Sequence, residues 1–305
     1  MSKVIRIGTR DSELALWQAH TVEKKLNDLG YSTEIVAVKS EGDIILDKPL
    51  YELGITGIFT KTLDIAMLAR KVDIAVHSMK DVPTALPIGI IQSAVLERAN
   101  VYDLLVHKGN IDFLTSNGTI ATGSLRRQAQ WLHKHPSHQV VDLRGNVNTR
   151  MQKLNDSDWN GAIFAAAGLE RINLKPENYI TLDWMTPAPA QGAMVVVTLA
   201  NDDFSTEAVA KLNHQETEIC THIERQFLRT LEGGCTAPIG ALAQIKDNQI
   251  DFQGVLHSLD GKQELSIKKS CNFVSYKDFG KECAEVILTN GGKQLMEAIR
   301  RDLKK

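Results

Sequence analysis

Residues 4–38 read VIRIGTRDSELALWQAHTVEKKLNDLGYSTEIVAV, a strand, a helix and a second strand in one short run. Val4 to Gly8 reads as a buried strand. Ser12 then stands where a helix N-cap belongs, ahead of Ala15, Ala19, Val22, Leu26 and Leu29 at helical spacing, and Gly30 stops the helix. Glu34 to Val38 is again apolar. After a glycine-containing stretch, Phe59 to Arg70 carries a helical pattern, and Asp73 to His77 returns to a strand rich in Ile, Ala and Val. Apolar strands alternating with helices in the order βαβαβ imply an α/β domain whose sheet is mainly parallel and covered on both faces.

The same grammar restarts after Asn100. Strands are expected at Asp103 to His107, Thr119 to Ala121, Gln139 to Leu143 and Ala162 to Phe164, with helices at Leu125 to His135 and Val147 to Leu154. This is a second α/β domain. Thr186 to Gln191, TPAPAQ, reads as a crossover linker, after which the apolar run Met194 to Leu199 returns the chain to the first domain. A long amphipathic helix from Glu216 to Leu231 ends at Gly233 and Gly234. Beyond it, Ile239 to Ile245, Gln249 to His257 and Glu264 to Lys269 are joined by Asp247-Asn248 and Asp260-Gly261 turn signals and followed by a helix from Tyr276 to Leu288. That pattern is a small α+β domain with an antiparallel sheet. The expected organisation is therefore 1–98 with 193–213, then 99–192, then 214–305.

With 305 residues, 43% of them hydrophobic, the chain can bury a substantial core. Its 35 Lys and Arg nearly balance 37 Asp and Glu, so no global charge points to nucleic acid or a membrane surface. No apolar run is long enough to span a membrane, and the opening MSKVIRIGTR lacks an apolar signal core, which makes the cytoplasm the expected compartment. Four widely spaced cysteines without a CxxC pair form neither a disulfide framework nor a metal motif.

The informative anomaly is where the arginines stand. Helix N-termini carry partial positive charge, so cations there are unfavourable by a few tenths to about 1 kcal/mol each. Yet Arg10 precedes the Ser12 helix, Arg126 and Arg127 open the next domain's helix after Thr122-Gly123-Ser124, and Arg144 stands before the helix that contains Arg150. These loops follow the carboxyl ends of strands, the edge where open α/β sheets bind ligands. Taken singly, each is as easily a solvated surface arginine. Together they call for an extended ligand bearing several carboxylates, which guanidinium forks grip in pairs.

His77-Ser78-Met79-Lys80-Asp81-Val82-Pro83 places Lys80 and Asp81 in a loop at that same edge of the first sheet. Asp81 either caps the next turn or, among convergent arginines, exchanges protons and stabilises a developing cation. Cys235 follows two glycines, whose backbone freedom can bring a thiol out into a cleft, whereas Cys220, Cys271 and Cys283 read as small buried hydrophobes.

Seven blocks in order, GTRDSELALWQA, HSMKDVP, TGSLRRQAQ, LRGNVNTR, AGLERI, PAPAQGA and LEGGCTAPIG, resemble the motifs of the porphobilinogen deaminase family. The resemblance implies two periplasmic-binding-protein-like domains and a third that carries a dipyrromethane cofactor through a thioether. It implies that four porphobilinogen molecules are joined head to tail into hydroxymethylbilane with loss of ammonia. A monomer without nucleic-acid or membrane partners is the expected state. By position, Cys235 matches the attachment cysteine and Asp81 the catalytic aspartate. Lys80, Thr122, Ser124, Arg126, Arg127 and Arg150 match cofactor-binding positions. Arg10, Ser12, Gln18, Arg144, Arg171 and Gln191 match positions near the substrate or growing chain, and Phe59 a rim aromatic. The chain departs from the family at Gly54-Ile55-Thr56-Gly57, where Gly-Gly-Lys-Gly is frequent. It departs also at Thr62, usually glutamate, and at Gly123 and Ala190, where serine and glycine are common. A competing reading from another class is a non-catalytic anion-binding protein of the periplasmic-binding type.

Overall fold

The computed structural model describes residues 3–39, 60–231 and 237–303. The expected first strand, helix and second strand form as β1 (Ile5–Arg10), α1 (Glu13–Asp28) and β2 (Thr33–Val38). Helix α1 buries Ala15, Gln18, Ala19, Val22 and Leu26, the face its apolar spacing marks. Then come α2 (Lys61–Leu68), β3 (Ile74–Ser78) and β4 (Ile90–Val95).

The second run holds β5 (Asp103–His107), β6 (Thr119–Ala121), α3 (Leu125–Lys134), β7 (Gln139–Val141), α4 (Val147–Asp156), β8 (Gly161–Ala165), α5 (Ala166–Arg171) and β9 (Tyr179–Leu182). After it come β10 (Met194–Leu199), α6 (Asp203–Ala210) and α7 (Gln215–Thr230). The chain ends in β11 (Ile239–Lys246), β12 (Gln249–His257), β13 (Glu264–Asn272), α8 (Phe279–Ile287) and α9 (Lys293–Asp302).

These elements fall into two compact units, one of 3–39, 60–99 and Gly192–Glu218, the other of Asn100–Gln191 with the residues from Ile219 onward. The first unit is built on a sheet of order β2-β1-β3-β10-β4. Four of its strands run one way, and β10 is antiparallel to both neighbours. Every residue of β10 is buried, as its sequence MVVVTL requires of a strand covered on both faces.

The second unit repeats the plan with order β7-β6-β8-β5-β9, where β5 is the reversed strand. Alternation along its strands feeds two cores. Leu104, Val106, Ala121, Ala162 and Phe164 pack with Leu154 and Leu169, whereas Leu105, Ile120 and Ile163 pack with Trp131 and Met185. The same unit holds the three-stranded antiparallel sheet β11-β12-β13, whose core joins Ile223 and Phe227 of α7 to Phe252, Phe279 and Ile299.

Both five-stranded sheets are thus mostly parallel with one strand reversed. The cause is physical: an apolar run shows that a strand is covered on both faces, but not which way it points. No helix among the described residues is long and apolar enough to cross a membrane.

Candidate active site

Parallel β1 and β3 end at one edge of the first sheet. Their register pairs Gly8 with Ala75, which sets Arg10 level with His77. His77 is buried and its Nε2 has no partner; burial, with the Arg10 charge second, holds its pKa down to about 4, so the ring is neutral at physiological pH. Ser12 is the N-cap of α1 in extended conformation, but its hydroxyl makes no capping bond. Gln18 is buried on α1 and donates through Nε2 to Ser78 Oγ at 2.8 Å, tying the helix to the end of β3.

Beyond Ser78 the chain makes a single 3-10 turn, Met79–Asp81. Met79 N donates to Ala193 O at 3.0 Å, and the Met79 and Val82 side chains are both buried. This anchoring on either side leaves Lys80 and Asp81 partly exposed at the strand end. Among the described residues no hydrogen bond or ion pair engages the Asp81 carboxylate.

In the second unit, the loop after β6 runs Thr122-Gly123-Ser124 into α3. Thr122 is buried, its N donating to Val141 O at 2.9 Å and its Oγ1 accepting from Ser124 N at 3.3 Å. Ser124 is the N-cap and accepts from Arg127 N. A Cβ at position 123 would stand 2.6 Å from Leu143 O, so this backbone has room for glycine and none for a larger residue.

Arg126 and Arg127 are 4% and 5% exposed, and both meet a carboxylate that sequence reasoning missed. Asp103, fully buried at the start of β5, lies 2.8 Å from Arg126 Nη1 through Oδ2. Its Oδ1 accepts from Arg127 Nε at 3.0 Å and Nη2 at 2.8 Å, and Arg127 Nη1 donates to Ile163 O at 2.9 Å. Arg126 Nη1 also donates to Thr186 O at 2.8 Å, whereas Arg126 Nε is buried without a partner. Burial lowers the Arg126 pKa, and the neighbouring Asp103 charge opposes the shift.

Gln191 is fully buried. Its Nε2 donates to Val101 O at 2.8 Å and to Asp103 Oδ1 at 3.0 Å. The linker before it is held by groups that carry no motif signal. Gln130 brackets Thr186, donating to its O at 3.0 Å and accepting from its N at 2.7 Å. Glu224 of α7, fully buried, accepts from Ala190 N at 2.6 Å and Ala243 N at 2.8 Å.

Arg144, between β7 and α4, is 4% exposed with Nε and Nη1 unpartnered; burial lowers its pKa against the pull of Asp142. Arg150 donates from Nε to Gly145 O at 2.7 Å on the same connection. Arg171 ends α5, where burial brings its pKa down to about 10 and Glu170 opposes, leaving it charged at neutral pH. Phe59, Cys235 and the 54–57 segment lie outside the described residues. The structure thus gathers Arg10, Ser12, Gln18, Lys80 and Asp81 at one edge of the first sheet. In the second unit, Arg126, Arg127 and Gln191 converge on Asp103.

Two family models match the chain, the dipyrromethane cofactor-binding domain of porphobilinogen deaminase over residues 5–207 and the porphobilinogen deaminase C-terminal domain over residues 218–289. The porphobilinogen deaminase of Chloroherpeton thalassium is 39% identical over 314 residues, covering 99% of each chain. The chain belongs to the porphobilinogen deaminase family. The chloroplastic porphobilinogen deaminase of Oryza sativa subsp. japonica is also similar, at 40% identity over 97% of this chain and 87% of its own. Among solved structures, a probable amino-acid ABC transporter extracellular-binding protein of Bacillus subtilis is similar with a TM-score of 0.44 and 13% identity, over 70% of this chain and 90% of its own. Membership of the porphobilinogen deaminase family makes the chain an enzyme and leaves the non-catalytic anion-binding reading without support.

Proposed function

We propose that the chain joins four porphobilinogen molecules head to tail into hydroxymethylbilane with release of ammonia, primed by a dipyrromethane held through a thioether on Cys235. The observation that carries the assignment of residues is the set of buried, unpartnered guanidinium donors, Arg126 Nε with Arg144 Nε and Nη1. A buried donor left unsatisfied costs about 1–3 kcal/mol, and more when charged. Carboxylates remove that cost. A dipyrromethane bears acetate and propionate arms, so these donors fit it. When bound, it supplies a nucleophilic pyrrole carbon on which the product is extended.

The remaining chemistry falls to this chain's own side chains. Asp81, held at the end of β3 by buried Met79 and Val82, stabilises positive charge on pyrrole nitrogen and passes protons, which no arginine can do. Lys80, Thr122, Ser124, Arg126, Arg127 and Arg150 hold the cofactor. Arg10, Ser12, Gln18, Phe59, Arg144, Arg171 and Gln191 hold the substrate and lengthening chain. Arg127 and Gln191 do so partly through Asp103, whose orientation they fix. The organisation we propose is three domains, 1–98 with 193–213, 99–192 and 214–305, in a cytoplasmic monomer without nucleic-acid or membrane partners. Near-neutral charge balance supports the last point.

Intact mass and turnover, measured together, test the assignment. Asp81→Ala is expected to keep the adduct mass while losing nearly all turnover, and Cys235→Ser to lack the adduct. Near-normal turnover in the first, or an adduct retained in the second, overturns the corresponding role.

A further inference from the structure

A second cluster lies in the same unit on side chains with no part in the proposed reaction. The connection between β12 and β13 rests on the last turns of α3. There His133 of α3, His257 at the end of β12 and Glu264 at the start of β13 bring one ligand atom each within 4.8 Å of one another. The approach is close because residue 261 is glycine. Its φ is 72°, and a Cβ there would stand 2.5 Å from Ala129 O and 2.6 Å from His133 N.

The hydrogen bonding fixes which nitrogen faces inward. His133 Nδ1 is 2.7 Å from Gly261 O, and a carbonyl only accepts, so Nδ1 carries the proton. In the neutral ring Nε2 then bears a lone pair, and it points at Glu264 Oε2 from 3.4 Å. His257 Nε2 approaches the same oxygen to 3.1 Å, and its Nδ1 is buried without a partner. Two imidazoles thus converge on one carboxylate oxygen, and in the neutral His133 ring a lone pair faces it, an arrangement relieved by a cation, either a proton on His133 or a metal ion among the three groups. A ring N–H held by a backbone carbonyl is also how proteins orient a metal-binding histidine.

We propose that His133, His257 and Glu264 form a divalent metal site of the zinc class. With metal–ligand distances of about 2.1 Å, the two His–Glu separations of 3.1 and 3.4 Å correspond to angles of about 95° and 108° at the ion, and the two histidine nitrogens, within 4.8 Å of each other, come to about 4.2 Å or less when both bind it. The His257 proton moves from Nε2 to Nδ1 as the metal takes its place. His257 is buried, whereas His133 and Glu264 are 44% and 33% exposed, so water completes the fourth position from the open side. The ion pins the β12–β13 connection to α3.

The test uses the full-length, cofactor-loaded protein without an affinity tag, stripped with chelator. Co²⁺ is added with visible absorption followed, and Zn²⁺ with calorimetry. The expected result is one equivalent bound, with d–d bands of a nitrogen and oxygen site and no thiolate charge-transfer band. Because His257 is buried, the variants are the more exposed His133→Asn and Glu264→Gln, checked for unchanged circular dichroism. Each is expected to weaken binding about tenfold or more. Absence of stoichiometric binding, thiolate bands, or variants that bind as the parent does overturn the site.

Discussion

Asp103 has no exposure to water, and two guanidiniums and the Gln191 amide surround it. Such a carboxylate is weak evidence for stability as a pair but costly to disrupt, since its loss leaves two buried cations facing each other. Asp103→Asn is expected to destabilise the protein by about 3–5 kcal/mol, read from the shift of its urea midpoint at unchanged slope. A shift below 1 kcal/mol would mean that water reaches these arginines. The arginine pair was legible in the sequence because cations at a helix start break a local rule. Asp103 was not, since an acid at the first position of an apolar strand looks like an ordinary boundary residue. Its role depends on a fold that brings positions 103, 127 and 191 together.

Between residue and domain, the crossover linker shows what an element demands of its side chains. Ala190 adopts φ 62° while buried, with its N–H held by Glu224. The left-handed region costs alanine about 1–2 kcal/mol, a strain that glycine does not carry. Relief of that strain in Ala190→Gly is offset by about 0.4–1 kcal/mol of added freedom in the unfolded chain and by the loss of a buried methyl worth about 0.8 kcal/mol. The glycine variant is therefore expected to match the parent within about 1 kcal/mol. Ala190→Val adds β-branching and overpacking of about 1–3 kcal/mol, and should melt clearly lower. Paired thermal melts decide it, and a valine variant as stable as the parent would contradict the strain. At this scale β10 was legible because MVVVTL is apolar throughout. In contrast β4, with exposed Ile91 and Gln92, has no clean period and was missed.

At the scale of the whole molecule, the two five-stranded sheets share one plan, and in each the reversed strand lies between the third strand and an edge. Their α/β class and the antiparallel third sheet were readable from periodicity, whereas strand direction was not, because burial on both faces is the same for either orientation. Charge has a similar hidden structure. The chain as a whole is slightly acidic, with formal net charge −2, yet the second unit concentrates Arg126, Arg127, Arg144, Arg150 and Arg171 and pairs two of them with a single buried acid. Folding such a unit without its ligand leaves charged donors dry, and any anion that reaches them stabilises the folded state by linkage, by about 3 kcal/mol at 100 times its dissociation constant. Cys235→Ser protein, lacking the adduct, should therefore melt several degrees below loaded enzyme. Citrate, carrying three carboxylates, should raise the melting temperature of the unloaded form more than that of the loaded one, where the donors already have partners. Chloride at equal ionic strength separates this from screening. If both forms respond alike to citrate, the buried guanidiniums are not held open for carboxylates.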